Sequence, residues 1–308
     1  MSTSGRIPRA MRHLPWFVKG HPLHGLERYQ PFFIVGSGRC GSTLLRAILE
    51  SHREVHIPPE NVLLGSTIGA YRTYSRLPWP ALLSIVLGQL SFHQQWDAFE
   101  LPLGPVFREL VATDPQNRNL AFVLDTVYRA HLRHHKPSAR RWGDKSAFSV
   151  LSLEQLKSVF PDLQVIHLVR DGRDVVSSFL EAFKVDYQDA AETWIRAVTA
   201  AEAFGARYPK QYVRVRYEDL VRVPESTVRQ ITRFLALDFD EQLLRHERLG
   251  LRFGDVERTP YMQGVREPIH GRSVGKWRSG LTGAQAAYLE RTLGSTLSRF
   301  GYDLDGSP

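Results

Sequence analysis

The sequence predicts an α/β fold in which a central parallel β-sheet is flanked by helices. Three short runs of strand-forming residues support this prediction, and each is followed by a turn and then by residues with helical spacing. The runs lie at 32–35 (FFIV), 163–169 (LQVIHLV) and 211–217 (QYVRVRY). Strands buried on both faces read as nearly continuous apolar runs, as the first two do. Parallel strands need a crossover, so alternation of strand and helix favours a parallel sheet.

The first strand leads into a glycine-rich loop and then into a helix. Gly36, Gly38 and Gly41 precede an apolar helical stripe, which is formed by Leu44, Leu45, Ile48 and Leu49. Such a loop points backbone N–H groups and the positive end of a helix dipole at one place, which is how proteins cradle a phosphate or sulfate. We therefore predict an anion site at this loop.

The loop departs from the Walker A pattern of ATP- and GTP-binding proteins at one position. Gly36, Gly41 and Thr43 match G-x-x-x-x-G-K-[ST], but Ser42 stands where the lysine belongs. That lysine normally contacts the β- and γ-phosphates, so its loss disfavours ATP or GTP hydrolysis, while Arg39 still supplies a positive charge. The predicted fold is P-loop-type, and a P-loop kinase or NTPase remains the alternative function. A glycine turn with a solvated arginine is the simpler alternative.

Composition bounds the domain organisation and the partners. With 308 residues and 43% apolar content, the chain can form one full core. We predict a loosely held basic N-terminal arm at 1–30 and one α/β domain at 31–308, which includes a mostly helical insertion at 65–140. The net charge of +8 suits an anionic ligand or nucleic acid. The basic residues form no dense run with interleaved aromatics, so we expect no nucleic-acid partner.

Cysteine and histidine usage indicates the compartment and the metal content. Cys40 is the only cysteine, so no intramolecular disulfide can form and a cytoplasmic location is expected. The longest apolar stretch, 81–90, is too short for a transmembrane segment. His131, His134 and His135 end a helix predicted at 125–135, and no carboxylate or cysteine lies at ligand spacing. They are predicted to be a solvated basic helix end, so no metal is expected.

The second strand ends in an arginine-rich turn. A helix is predicted to begin near Asp174, a favourable N-cap, and Ser178 lies on its first turns. Ligands of open parallel sheets bind at the carboxyl ends of strands, so Arg170 and Ser178 are expected to face the same crevice as the glycine loop. The alternative is a solvated turn in which Arg170 and Arg173 pair with neighbouring aspartates. A third unit continues with a helix at 224–237.

Four segments occur in the order found in PAPS-dependent sulfotransferases, where PAPS is 3′-phosphoadenosine 5′-phosphosulfate. They read GSGRCGSTLL, LVRDGRDVVSS, VRYEDLVRVPE and RSVGKWRSGLT, and together they are far more specific than any one alone. The chain resembles this superfamily from about Phe33 to its end, except at the insertion. Arg39 within RCGSTLLRAILESH and the tail FGYD at 300–303 make it more similar to tyrosylprotein sulfotransferases and bacterial relatives than to the cytosolic phenol and steroid enzymes.

The resemblance implies two anion sites for PAPS. For the 5′-phosphosulfate it implies the loop residues Arg39, Cys40, Gly41, Ser42 and Thr43. For the 3′-phosphate it implies Arg170 and Ser178, with Tyr217 near the nucleotide and Lys276 as a C-terminal phosphate contact. The R-K-G-x-x-G pattern of the cytosolic enzymes is absent, because residues 270–275 read HGRSVG.

The resemblance also implies the catalytic residues. Glu60, presented by the stiff Pro58–Pro59 pair, matches the general base of the tyrosylprotein branch, while Arg39 and Lys145 would stabilise the developing charge. His52 and His56 are rival bases. The acceptor would carry a hydroxyl group, as in peptide tyrosine, a carbohydrate, a lipid or a small phenol. A homodimer and a non-catalytic binder of anionic surfaces remain open.

Overall fold

Five parallel strands form one sheet in the computed structural model, which describes residues 20–93, 96–250 and 254–304. The strand order is β2-β3-β1-β4-β5. Their bounds are Phe32–Val35 (β1), Val55–His56 (β2), Arg141–Lys145 (β3), Gln164–Val169 (β4) and Tyr212–Arg216 (β5). The predicted central parallel sheet is therefore confirmed.

Twelve α-helices surround the sheet within the described ranges. They are Ser42–Glu50 (α1), Leu64–Tyr74 (α2), Trp79–Ser91 (α3), Leu103–Val111 (α4), Leu120–His135 (α5), Leu153–Val159 (α6), Gly172–Phe183 (α7), Tyr187–Arg207 (α8), Tyr217–Arg222 (α9), Pro224–Phe234 (α10), Trp277–Gly280 (α11) and Gly283–Arg299 (α12). Helices α2 to α5 lie between β2 and β3, in the stretch predicted to be a mostly helical insertion. No helix in the described part of the chain is long and apolar enough to cross a bilayer.

The core lies on both faces of β1, because side chains alternate along a strand. Phe33 and Val35 pack against the insertion helices and α8, whereas Phe32 and Ile34 pack against α1, α9 and α10. All four side chains are fully buried. Burial of each contributes roughly 1.5–3 kcal/mol to folding, which makes this four-residue strand the centre of the domain.

Two features differ from the sequence predictions: the presence of strand β3 and the start of helix α7. Strand β3 was not predicted, because its sequence RWGDK has no apolar run. Helix α7 begins at Gly172 with Asp171 as its N-cap, so the prediction of Asp174 as the cap was wrong. The carboxylate of Asp174 instead accepts hydrogen bonds from the backbone N–H groups of Gly275 and Trp277, at 2.8 and 2.9 Å.

Residues 20–30 are held against the helical insertion. The backbone N–H of His21 donates to the carbonyl of Ser75 at 2.8 Å, and the N–H of Ala121 donates to the carbonyl of Leu23 at 2.8 Å. The side chain of Tyr29 is buried in the core. The expectation of a loosely held arm is therefore wrong for residues 20–30, while residues 1–19 lie outside the described residues.

The packing of β1 against β3 predicts the effect of Gly143→Ala. A Cβ atom at Gly143 would lie 2.3–2.7 Å from three ring carbons of the buried Phe32. We expect the free energy of unfolding to fall by about 1–3 kcal/mol, the usual cost of overpacking, as measured by urea denaturation. The control is Gly69→Ala on α2, where a Cβ has no neighbour within 4 Å and should stabilise by up to about 1 kcal/mol. Unchanged stability of Gly143→Ala would contradict this packing.

Candidate active site

The strand register brings the predicted site residues to one edge of the sheet. Strand β1 lies between β3 and β4, with Ile34 opposite Lys145 and Val35 opposite His167. The glycine loop follows β1, and Arg170 directly follows β4, so both leave the sheet at this edge. Such edges are where parallel sheets bind ligands.

The glycine loop ends at the N-terminus of α1. Gly41 is the N-cap residue with a φ of 93°, and no side chain caps the helix. A Cβ at Gly41 would lie 2.4 Å from the ring of Tyr217, so both the backbone conformation and the close approach require glycine. The first turn of α1 has no acidic residue, and its N–H groups are thus available to an anion.

Cys40 packs its side chain into the core. The thiol is fully buried, and a Cβ at Gly36 would lie 2.6 Å from its sulfur. Burial raises the pKa of the Cys40 thiol, although Ser42 and Arg170 act in the opposite direction. Of the groups of Cys40, only the backbone is therefore suited to ligand binding.

Arg170 connects the glycine loop to the C-terminal part of the chain. Its Nη1 donates to the carbonyl of Arg39 at 3.1 Å, and its Nη2 donates to the carbonyl of Ser273. The guanidinium also lies 4.8 Å from the centre of the Tyr217 ring. Its Nη2 also lies 3.8 Å from the carboxylate of Asp174. Arg170 is buried, so the alternative was right about the aspartate partner and wrong about solvation.

Arg173 is buried as well, and it contacts other side chains of the protein. It pairs with Asp171 at 2.8 Å and stacks 4.3 Å from the centre of the Trp277 ring. Arg173 lies in the first turn of α7, and these contacts stabilise the turn after β4.

A direct hydrogen bond joins the two predicted anion sites. The Nε of Arg39 donates to the hydroxyl of Ser178 on α7 at 3.0 Å, although 139 positions separate the residues. The sequence prediction that the glycine loop and the start of α7 face one crevice is consistent with this contact.

A cavity of about 330 Å³ lies at this sheet edge. Eight of the predicted site residues line it: Arg39, Gly41, Ser42, Thr43, Glu60, Lys145, Arg170 and Tyr217. The lining does not include Cys40, Ser178 or Lys276. Lys276 is exposed and its ammonium lies 2.7 Å from the carboxylate of Glu181, so its phosphate contact stays a prediction.

Glu60 and Lys145 form an ion pair at the cavity wall. The Lys145 ammonium lies 2.8 Å from Oε2 of Glu60 and 3.7 Å from Oδ2 of Asp255. The lysine side chain is only 1% exposed. A buried ammonium group is costly without partners, so the two carboxylates explain how Lys145 is held there.

Asp255 also joins this pair to α1. Its carboxylate accepts from Arg46 at 2.5 Å and from the backbone N–H of Glu60 at 3.3 Å. Burial alone would raise the pKa of Asp255, but the charges of Arg46 and Lys145 outweigh it and hold that pKa below its usual value. Asp255 is therefore ionised at neutral pH and bridges two buried cations.

The rival histidine bases lie outside the cavity lining. His52 contacts the carbonyl of Asp238 at 3.1 Å. His56 lies between Glu50 and His131, at 3.0 and 2.7 Å. Both histidines are buried, and neither lines the 330 Å³ cavity.

The histidines at the end of α5 differ from the expected solvated helix end. His131 is buried and lines a second cavity of about 310 Å³ together with His56 and His135. Burial, together with the neighbouring His56 and His135, lowers the pKa of His131 to about 2. The prediction was therefore wrong for His131, because α5 turns this side chain inward. The described residues contain no group of three His, Cys, Asp or Glu side chains suited to a metal ion.

Comparison with known proteins identifies the family. The model of the sulfotransferase family matches residues 31–241, which is more than half of the chain. The chain belongs to the sulfotransferase family. This sulfotransferase is 27% identical over 299 residues to Protein-tyrosine sulfotransferase A of Caenorhabditis elegans, covering 92% of this chain and 70% of that protein.

Solved structures agree with the fold of this sulfotransferase. The sulfotransferase domain of the Synechococcus PCC 7002 olefin synthase has a TM-score of 0.65 at 24% identity, covering 91% of this chain and 98% of that domain. The sulfotransferase domain of the curacin biosynthetic pathway has a TM-score of 0.61 at 21% identity, covering 90% and 99%. The family assignment excludes the P-loop kinase or NTPase alternative as the main function.

Two residues near this site, Asp255 and Arg46, were not predicted from the sequence. Asp255 lies 195 positions after Glu60, in a segment without an apolar pattern, so no local signal reveals it. Arg46 had a weak signal in the sequence, because it is a charged residue four positions after Ser42 and therefore lies on the same face of α1. In the structure its side chain is buried, with 1% exposed.

Asp144, next to Lys145 in β3, is a buried acid with an unusual environment. It is fully buried and accepts a hydrogen bond from the hydroxyl of Tyr128 at 2.6 Å. Burial raises its pKa to about 6, although Tyr128 and Ser146 act in the opposite direction. The folded state therefore binds a proton here more tightly than the unfolded chain does.

The Asp255 bridge predicts a loss of stability in Asp255→Asn. The substitution keeps the shape but removes the charge between Arg46 and Lys145, and a buried pair that loses one partner costs about 3 kcal/mol. Urea unfolding at pH 7 measures the change. The control is Glu267→Gln, which removes an exposed ion-pair partner of Arg272 and should cost less than about 1 kcal/mol. Equal effects of the two variants would argue against the bridge.

The raised pKa of Asp144 predicts a pH dependence of stability. A carboxyl whose folded pKa is raised stabilises the fold below the unfolded pKa of about 4, and this contribution is lost as pH rises through about 6. We expect Asp144→Asn to gain stability relative to wild type between pH 4.5 and 7.5, by about 2–3 kcal/mol. The control is Asp189→Asn at an exposed position. A wild-type minus variant difference that is flat with pH would contradict the assignment.

Proposed function

We propose that this sulfotransferase transfers the sulfuryl group of PAPS to a hydroxyl group of an acceptor, with Glu60 as the general base. The observation that carries the proposal is the shared cavity. Arg39 and Arg170 come from different strand ends, yet both line it together with the N-terminus of α1. PAPS has two separate anionic groups, and this arrangement offers two separate sets of cationic and N–H donors.

Two features of the cavity fit the phosphate groups of PAPS. Helix α1 begins after Gly41 with no side-chain cap, so the N–H groups of its first turn are available to an anion. The Nε of Arg170 is buried and has no hydrogen-bond partner in the described structure, and a buried donor without a partner is costly. Ser42, Thr43 and Arg39 would hold the phosphosulfate, and Arg170 with Ser178 would hold the 3′-phosphate.

Glu60 is the residue best placed to accept the acceptor's proton. Among the described residues, only Lys145 pairs with its carboxylate, through Oε2, so Oε1 can receive the proton. The side chain is 18% exposed at the cavity wall, which lets an acceptor reach it. His52 and His56 lie outside this cavity lining, which favours Glu60 over both.

Lys145 and Arg39 supply the positive charge for the transfer. The new bond joins the acceptor oxygen to sulfur, the bond from sulfur to the 5′-phosphate oxygen breaks, and the proton goes to Glu60. Negative charge grows on the leaving phosphate, and fixed cations in a water-poor site stabilise such charge strongly. Lys145 cannot move far, because Glu60 and Asp255 hold its ammonium group.

The relatives support the reaction class at the acceptor side. The C. elegans protein is named as a protein-tyrosine sulfotransferase, which is consistent with an acceptor hydroxyl here. A cytoplasmic location and a homodimer remain proposals that rest on the sequence alone.

Glu60→Gln tests the mechanism. We expect turnover with PAPS to fall by about 10²–10⁴-fold, because the amide cannot take the proton, whereas the affinity for adenosine 3′,5′-bisphosphate stays within about threefold. Transfer of ³⁵S measures turnover and isothermal titration calorimetry measures affinity.

The matched control is Glu225→Gln on α10, which removes an exposed carboxylate paired with Arg229 and should leave both quantities unchanged. Full activity of Glu60→Gln would remove Glu60 from the mechanism. Tighter binding of ATP than of adenosine 3′,5′-bisphosphate to wild type would argue against PAPS itself.

A further inference from the structure

Two short segments, which follow Glu60 and Lys145 in the sequence, are hydrogen-bonded to each other. The hydroxyl of Ser146 donates to the carbonyl of Asn61 at 2.8 Å and accepts from its N–H at 3.0 Å. These bonds hold the segment after Glu60 alongside the segment after Lys145. Val62 and Phe148 follow in the two segments, and both line the cavity.

Several apolar side chains line the cavity together with Glu60. Val62 is 42% exposed and Phe148 is 43% exposed. Met262 and Val265, from the segment that follows Asp255, also line the cavity and pack beside α1. Large apolar side chains that are exposed together at a cavity are typical of binding sites for apolar ligands.

The charged groups of the cavity are already assigned to the donor. Among the described residues, the arginine and lysine side chains that line the cavity are Arg39, Lys145 and Arg170. The proposed function uses all three. Neighbouring arginines of the C-terminal segment have acidic partners, since Arg266 pairs with Glu257 at 2.9 Å and Arg272 pairs with Glu267. His270 also lines the cavity, and its Nε2 lies 3.2 Å from the carboxylate of Glu267. An acidic acceptor would therefore find no further arginine or lysine in this lining.

We propose that the acceptor is an uncharged molecule with an apolar body and one reacting hydroxyl group, and that Val62, Phe148 and Met262 bind the apolar body. This inference rests on the proposed function. An acidic peptide would be repelled by Glu60 without a compensating cation. A sugar would leave several hydroxyl groups against apolar walls, and unpaired polar groups are costly to bury.

Acceptors with the same phenolic hydroxyl but different surroundings test this proposal. One series is 4-methyl-, 4-propyl- and 4-pentylphenol, and the comparison acceptors are a tyrosine peptide flanked by glutamates and a 4-hydroxyphenyl glycoside. We expect kcat/KM to rise by about fourfold for each methylene added to the phenol, the factor for burial of one methylene. All three alkylphenols should exceed the peptide and the glycoside.

Val62→Lys provides the matching variant, because Val62 is exposed and its replacement should not disturb the core. We expect kcat/KM for 4-pentylphenol to fall at least tenfold and that for the acidic peptide to rise. The control is Val223→Lys, which adds the same charge at an exposed site between α9 and α10 and should change neither. Binding of adenosine 3′,5′-bisphosphate should be the same in all three proteins.

The outcomes separate this inference from the proposed function. If the acidic peptide or the glycoside is the better acceptor, the apolar acceptor is wrong and PAPS-dependent transfer stands. If no acceptor turns over, 4-pentylphenol is titrated into protein saturated with adenosine 3′,5′-bisphosphate, where binding supports the inference and no binding overturns it. If the bisphosphate itself does not bind, the proposed function fails, and this inference fails with it.

Discussion

The parallel pairing of β1 with β3 on one side and β4 on the other determines where the chemistry lies. Parallel strands all end at the same edge, and the register sets Ile34 opposite Lys145. The glycine loop, the lysine and the arginine after β4 therefore meet without any of them being near the others in sequence. A slip of one residue would turn Lys145 to the other face of the sheet, so the four buried side chains of β1 also fix the site.

Burial of charge is the second constraint, and it makes the site depend on the C-terminal segment. Lys145 and Arg46 are almost completely buried, and an isolated charge in such a place would be strongly destabilising. Asp255 contacts both, while Glu60 supplies a second carboxylate for the lysine. The segment around residue 255 is thus required for the geometry of the Glu60–Lys145 ion pair.

The sequence predicted those parts of the fold and site that depend on neighbours along the chain. The apolar runs of β1 and β4 revealed the sheet, and the glycine loop revealed the helix N-terminus. Strand β3 escaped prediction because Asp144 and Lys145 are polar yet buried. Their partners, Tyr128 for the aspartate and Glu60 and Asp255 for the lysine, make that burial tolerable. The same is true of Asp255 and of the inward turn of His131, since long-range contacts leave no local pattern.

This difference also explains why the proposed donor side could be predicted from the sequence and the proposed acceptor side could not. An anion is bound by loops, helix N-termini and arginines at strand ends, and these have short sequence signatures. The proposed acceptor side uses single apolar side chains, Val62, Phe148 and Met262, which come from three separate segments. An apolar side chain in the sequence usually indicates core packing, and only the structure shows that these three share one cavity. Their exposure next to a buried ion pair, rather than their identity, is what marks them as a binding surface.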